Sequence, residues 1–273
     1  EAVGVLTEDG AAVRPLPSAD MNALIQASRE ALLAAVKGAA ATLPLSAVTL
    51  LAPIPRPRQD VICLGINYKA HTEEAARYSS EAFTKERPIP INFSKRVTEA
   101  VAPEGDIESH PGLVERLDYE AELAVIIGKT AKNVMAEDAA DYIFGYTVLN
   151  DVSARVLQTA HKQWYFGKSL DGFTPIGPCI VTADEIVFPP ALHITARVNG
   201  ELRQDSTTDL LITSIADIIE ELSSGMTLLP GTIISTGTPS GVGMGFDPPK
   251  FLKPGDVVEC TIDGIGTLRN TVR

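Results

Sequence analysis

Three carboxylates stand close together in Asp118-Tyr119-Glu120-Ala121-Glu122. From Tyr119 to Ile127 the sequence begins with alternation and turns continuously apolar, as a strand entering a sheet core does. Alternation along a strand sends Glu120 and Glu122 to one face, with Asp118 beside them. Anions crowded on an otherwise apolar strand repel one another and lose hydration, so they persist only at an open surface or around a cation. Asp151 follows a second apolar run, Ile143 to Leu149, at a place where sheets commonly put functional residues. Two Glu and one Asp are hard oxygen donors, suited to Mg²⁺, Mn²⁺ or Ca²⁺ and poorly suited to zinc. A solvated strand end is the alternative that spacing alone leaves open.

A second constellation lies in GINYKAHTEE, Gly65 to Glu74. His71 and Glu74 are three residues apart and meet on a helical turn, where a carboxylate orients an imidazole and raises its basicity. Such a pair activates water, although a surface His near two Glu is also common. Thr72 to Glu86 is polar and Ala-rich without a clear apolar face, which suits a mobile lid. The third constellation is Thr236-Gly237-Thr238-Pro239-Ser240-Gly241-Val242-Gly243-Met244-Gly245. It lacks the Lys-Ser/Thr of a P-loop and the dinucleotide fingerprint. Its backbone amides and Thr hydroxyls are able to hold a small carboxylate, and a plain glycine-rich turn fits equally.

The elements that position these residues fall into two parts. Glu1 to Val13 is predicted as a hairpin about Asp9-Gly10, and Ser18 or Asp20 caps a helix from Met21 to about Ala39. Pro53, Pro55 and Pro57 then make an extended connector, which places a boundary between residues 1–57 and 58–273. Beyond it the chain is strand-rich: Val61 to Gly65, a hairpin about Asn199-Gly200, and a final hairpin about Asp263-Gly264. Thr208 to Ser224 is the one clear helix, with Gly225 as its stop. Many short strands with few helices predict an α+β, β-rich chain built as a mixed β-roll or barrel.

Composition closes off other classes. The 273 residues are 45% hydrophobic and 21% charged, an ordinary globular balance. The net charge of −12 argues against a nucleic-acid partner. No apolar run approaches the ~18 residues of a membrane span. The start shows no export pattern, so a cytoplasmic location is expected. Cys63, Cys179 and Cys260 form no zinc or CxxC spacing and are expected as buried, reduced thiols.

Taken together, Val61 to Val272 resembles the fumarylacetoacetate hydrolase family. The elements occur in family order: GINYKAHTEE, Phe93-Ser94-Lys95, DYEAELAVIIGK, NDVSARVLQ, GKSLDGFTPIGP, LSSGMTLLPG with TGTPSGVG, and KPGDVVECTIDGIGTLRN. The resemblance implies a roll-like catalytic domain behind a small N-terminal α+β domain, usually as a homodimer. It implies a divalent cation, generally Mg²⁺, on Glu120, Glu122 and Asp151. Arg155, Gln158, Lys168, Thr238 and Gly237 would contact a small 2-oxo acid substrate, and His71 with Glu74 would form the water-activating dyad. Arg96 stands where the family often has Pro, and Thr232 where it often has Asp; Arg96 is expected near the far end of the substrate.

The chemistry so implied is Mg²⁺-dependent hydrolysis of a C–C bond in a 2,4-dioxo acid, an acylpyruvate or fumarylpyruvate, through a metal-stabilised enolate. Lys168 and Arg155 would offset the developing charge. The same enolate logic serves an alternative, decarboxylation of oxaloacetate or isomerisation of a 2-hydroxy-dienedioate.

Overall fold

In the computed structural model, which describes residues 1–78 and 89–273, the hairpin expected about Asp9-Gly10 is present. Strand β1 (Gly4–Leu6) pairs antiparallel with β2 (Ala12–Pro15), Gly10 takes a φ of +65°, and β3 (Leu43–Pro44) adds to β2. The helix expected over residues 21–39 is two helices. Asp20 accepts from the Ala23 amide at the start of α1 (Met21–Ile25), and Ser28 accepts from the Ala31 amide at the start of α2 (Arg29–Gly38). The break has a packing cause: Leu24 and Ile25 are drawn into two different apolar clusters, and Ser28 offers a fresh cap just beyond them.

The rest of the chain runs through β4 (Val61–Gly65), α3 (Lys69–Tyr78), β5 (Ile91–Lys95), β6 (Asp106–Ile107), β7 (Leu117–Asp118), β8 (Ala121–Ile127) and β9 (Ile143–Asn150). It continues through β10 (Ser153–Ala154), α4 (Arg155–Ala160), α5 (Tyr165–Lys168), β11 (Ile176–Thr182), β12 (His193–Val198) and β13 (Glu201–Thr207). The last elements are α6 (Ile215–Gly225), β14 (Ile233–Ser235), β15 (Val257–Ile262) and β16 (Gly266–Val272). A six-stranded sheet has the order β11-β9-β8-β14-β4-β5 and a five-stranded sheet the order β13-β12-β15-β16-β6. Both are antiparallel except at β14–β4 and β16–β6. Edge strands remain unpaired among the described residues, so the molecule is an open roll and not a closed barrel.

Asn199 and Gly200 both take positive φ, as a two-residue turn between β12 and β13 requires. Helix α6 starts at Ile215, not Thr208, because Ser214 caps it through the Asp217 amide. Leu211 lies before the helix and bridges Tyr68, and Gly225 lies within the helix rather than stopping it. Of the expected lid, Thr72 to Tyr78 belongs to α3, which buries Ala75 and Ala76; the remainder falls in 79–88, outside the described residues. Cys63 and Cys260 are buried and Cys179 partly so, all unpaired, and burial pushes the Cys260 thiol up to about 12.

The continuous apolar run of β8 is explained by burial on both faces. Leu123, Val125 and Ile127 face the second sheet, against Ile194, Ala196, Val258, Cys260 and Leu268. Ala124 and Ile126 face the other way, into a cluster with Val61, Cys63, Leu149 and Ile233 that is covered by Ile25, Ala52 and Ile54. The proline connector is therefore packed against the sheet. Glu122 shares the parity of Ala124 and Ile126, and by register so do Gly65, Phe93, Lys95 and Ser235 on neighbouring strands. The site grows from this outer face, past the point where the N-terminal residues cover it. Leu123 is fully buried between the sheets; Leu123→Ala is expected to cost about 2–5 kcal/mol, read as a lower urea midpoint at unchanged m-value.

Candidate active site

Glu120, Glu122 and Asp151 come together: each offers an oxygen, and the three oxygens lie within 4.8 Å of one another. The backbone does much of this. Glu120 precedes β8, its amide donates to Asn150 Oδ1, and the Asp151 amide donates to the Glu120 carbonyl at 2.8 Å. Two strand ends are thus stitched together so that both acids reach one point. Glu122 Oε2 accepts from the Ser235 hydroxyl at 2.6 Å and from the Gly237 amide at 2.9 Å. Asp118 does not join the group. It accepts from Arg155 Nε at 2.9 Å and from the amides of Gly243 and Met244 at 2.6 and 3.0 Å.

Three buried cations answer these carboxylates. Lys168 Nζ donates to Glu120 Oε2 at 2.8 Å and to Asp151 Oδ2 at 2.6 Å. Lys95 Nζ donates to Asp151 Oδ1 at 2.5 Å and to the Val152 carbonyl at 3.1 Å. Arg155 Nη1 reaches Glu120 Oε1 at 2.6 Å and Gln158 Oε1 at 3.1 Å. Of Asp118, Glu120, Glu122 and Asp151, only Glu122 has no side-chain cation bonded to it among the described residues. Burial, with Asp151 and Glu120 nearby, raises the Glu122 carboxyl well above its ordinary range. For Glu120, burial also pushes upward, but Lys168, Arg155 and His71 outweigh it and hold the group below the usual carboxylate range. A buried set of hard oxygen donors, one of them without a bonded cation among the described residues, fits a divalent cation, and no thiol stands in the set to favour zinc.

His71 and Glu74 form the expected pair on α3, with Nδ1 to Oε2 at 2.9 Å and both residues buried. Glu74 is itself fixed: Oε1 accepts from the Gly241 amide at 2.9 Å, and Tyr119 donates to the Gly241 carbonyl at 2.8 Å. The glycine-rich run now has a reason. A Cβ on Gly245 would fall 1.8 Å from Glu74 Oε1, and one on Gly243 would fall 2.6 Å from Asp118 Oδ1. Its amides grip the protein's own carboxylates Asp118, Glu74 and Glu122.

His71, Glu120, Glu122, Lys168 and Thr238 line one recess, together with Leu64, Gly65, Ile66, Phe93 and Trp164. Asp151, Arg155, Gln158 and Gly237 are buried or engaged outside that lining. Gly237 is engaged with Glu122, and the Thr238 hydroxyl donates to the Ala121 carbonyl while accepting from Gln204. Arg96 is exposed, and its amide donates to Ser169 Oγ. Sequence reasoning assigned no role to Lys95, Ser235, Asn150 or Trp164. Lys95 belongs to the Phe93-Ser94-Lys95 element, but nothing local marks it as wholly buried beside Asp151.

An amide at position 122 would remove the carboxylate charge while still accepting from Ser235 and Gly237. An unfolded Glu titrates at about 4.3. In the fold it titrates higher, so the native state binds the extra proton and this group's contribution to stability falls as pH rises through that window. Every tenfold difference in proton affinity between the folded and unfolded states is worth about 1.4 kcal/mol. Glu122→Gln is therefore expected to raise the melting temperature of the metal-free protein at neutral pH, and to abolish Mg²⁺ or Mn²⁺ binding in calorimetry.

Residues 60–273 match the family described as fumarylacetoacetate (FAA) hydrolase, C-terminal. Oxaloacetate tautomerase YisK of Bacillus subtilis (strain 168) is 51% identical over 229 residues, spanning 84% of this chain and 74% of the relative. A fumarylacetoacetate hydrolase from psychrophilic Exiguobacterium antarcticum, 39% identical, superposes with a TM-score of 0.85 over 100% of this chain and 95% of that one. A 5-carboxymethyl-2-hydroxymuconate delta-isomerase from Mycobacterium smegmatis, 36% identical, superposes with a TM-score of 0.76 over 99% and 93%. No helix among the described residues is long and apolar enough to cross a membrane. That match over residues 60–273, together with relatives of 51% and 39% identity aligned over most of both chains, shows that the chain belongs to the fumarylacetoacetate hydrolase family.

Proposed function

We propose that this enzyme moves a proton at the carbon next to the keto group of a short 2-oxo acid of the oxaloacetate type, interconverting keto and enol forms. The observation that carries the reading is the dyad: His71, its Nδ1 held by Glu74, stands in the same recess as the acidic group. Glu74 accepts the Nδ1 proton, which leaves Nε2 as the lone-pair nitrogen, able to take a proton from carbon and return it. The similarity to an oxaloacetate tautomerase supports proton transfer over hydrolysis of a 2,4-dioxo acid. The dyad on which a hydrolytic reading rests is equally a base toward a carbon acid.

Glu120, Glu122 and Asp151 would hold the divalent cation, Mg²⁺ in the first instance. When bound, such an ion supplies Lewis acidity toward the carboxylate and keto oxygens of a 2-oxo acid. Lys168 donates two of its three protons to Glu120 and Asp151, so one remains for an enolate oxygen. Arg155 holds Glu120 from behind and is thereby a positioning residue. Every group of this chemistry lies in the proposed catalytic domain, 58–273, and the assembly is proposed to be a homodimer.

The test follows the C3 protons of oxaloacetate by NMR in D₂O with Mg²⁺, together with pyruvate release from oxaloacetate and from acetylpyruvate. Fast C3 exchange that EDTA stops is the expected result. His71→Asn is expected to slow it by about 10²–10⁴-fold without loss of Mg²⁺ affinity. Pyruvate and acetate from acetylpyruvate, with no exchange on oxaloacetate, would overturn the proposal in favour of hydrolysis.

A further inference from the structure

The recess has two unlike halves. One carries the Glu120 and Glu122 carboxylates, the Lys168 ammonium, the His71 ring and the Thr238 hydroxyl; the other carries Leu64, Gly65, Ile66, Phe93 and Trp164. No charged side chain lines the second half among the described residues. The indole of Trp164 is seated against the Gly65 backbone: a Cβ built on Gly65 would fall 2.2 Å from Cζ3 and 2.8 Å from Cη2. The absence of a side chain at residue 65 is what admits the ring. Phe93 meets it edge to face, with centroids 5.3 Å apart. Trp164 also packs on the cluster of Ala75, Val242 and Met244, beside Ile66. The Lys168 ammonium lies 5.2 Å from the Phe93 ring centroid, so this wall is tied to the charged half.

We infer that Trp164 sets the length of the acid this site accepts, admitting three- and four-carbon 2-oxo acids and excluding six- and seven-carbon dioates. The inference rests on the proton-transfer reading above. With the 2-oxo end at the acidic group, the far carboxylate of a four-carbon acid stays within reach of the polar half. Each added methylene drives that carboxylate toward Phe93 and the indole, where it loses water and, among the described residues, faces apolar side chains and one indole N–H in place of a cation. A ring packed on several sides does not retreat without leaving a void. The wall thus separates the oxaloacetate named for the Bacillus relative from the longer 5-carboxymethyl-2-hydroxymuconate named for the Mycobacterium one.

The experiment compares C3 exchange on oxaloacetate and on 2-oxoadipate, a six-carbon acid with the same 2-oxo carboxylate, in the Mg²⁺-loaded enzyme, each taken relative to its uncatalysed exchange because only the C3 of oxaloacetate is also flanked by a carboxylate. The unaltered chain is expected to favour oxaloacetate in kcat/KM by on the order of 100-fold. Trp164→Ala is expected to shrink that ratio about tenfold, chiefly by a gain on the longer acid, and Trp164→Phe to fall between. If Trp164→Ala does not fold, Trp164→Phe decides by the same criterion, as does Gly65→Ala, whose new methyl must displace the indole. A folded variant with an unchanged ratio, or an unaltered chain that exchanges both acids equally, would overturn the length limit alone. An unaltered chain that exchanges neither would overturn the proton-transfer reading, and this inference with it.

Discussion

Five buried carboxylates set against three buried cations, counted among the described residues, are the constraint to which the rest of this molecule answers. Isolated carboxylates in a protein interior neutralise or drive the chain open. Here each is held by specific donors: Asp118 by Arg155 and two loop amides, Glu120 by Arg155 and Lys168, Asp151 by Lys95 and Lys168. Glu122 receives only a hydroxyl and an amide. A divalent cation held there would offset the excess of carboxylates over cations.

The open roll makes such a cluster tolerable. The six-stranded sheet buries one face against the second sheet and part of the other beneath Ile25, Ala52 and Ile54 of the N-terminal segment. At the end of the outer face the apolar cover stops, and there polar side chains of matching parity converge from β4, β5, β8 and β14. The glycine-rich run then folds over the strand ends, its small residues leaving space for Asp118 and Glu74. The His71–Glu74 pair is therefore coupled to the acidic group by backbone: Tyr119, between Asp118 and Glu120, bonds the same Gly241 whose amide fixes Glu74.

Under the proposed function, this coupling would let one scaffold support related reactions. A base held at fixed distance from a group that stabilises an enolate could protonate carbon, deprotonate it or pass the proton to water. The rest of the recess is apolar and aromatic, built by Leu64, Gly65, Ile66, Phe93 and Trp164.

What the sequence determined by itself was local. Strand parity put Glu120 and Glu122 on one side, helical spacing joined His71 to Glu74, and Asn199-Gly200 and Asp9-Gly10 specified their turns, because each rests on backbone geometry over a few residues. The ordered motifs also announced the family and the acidic triad. Tertiary structure decided the remainder. Whether residues 21–39 make one helix or two depended on two clusters that pull Leu24 and Ile25 apart. The commitment of Arg155 to Asp118 and Glu120, the burial of Lys95 beside Asp151, and the meeting of Trp164 with Gly65 all join residues tens of positions apart. Pairings of that kind are fixed by how sheets and loops pack, and no local periodicity encodes them.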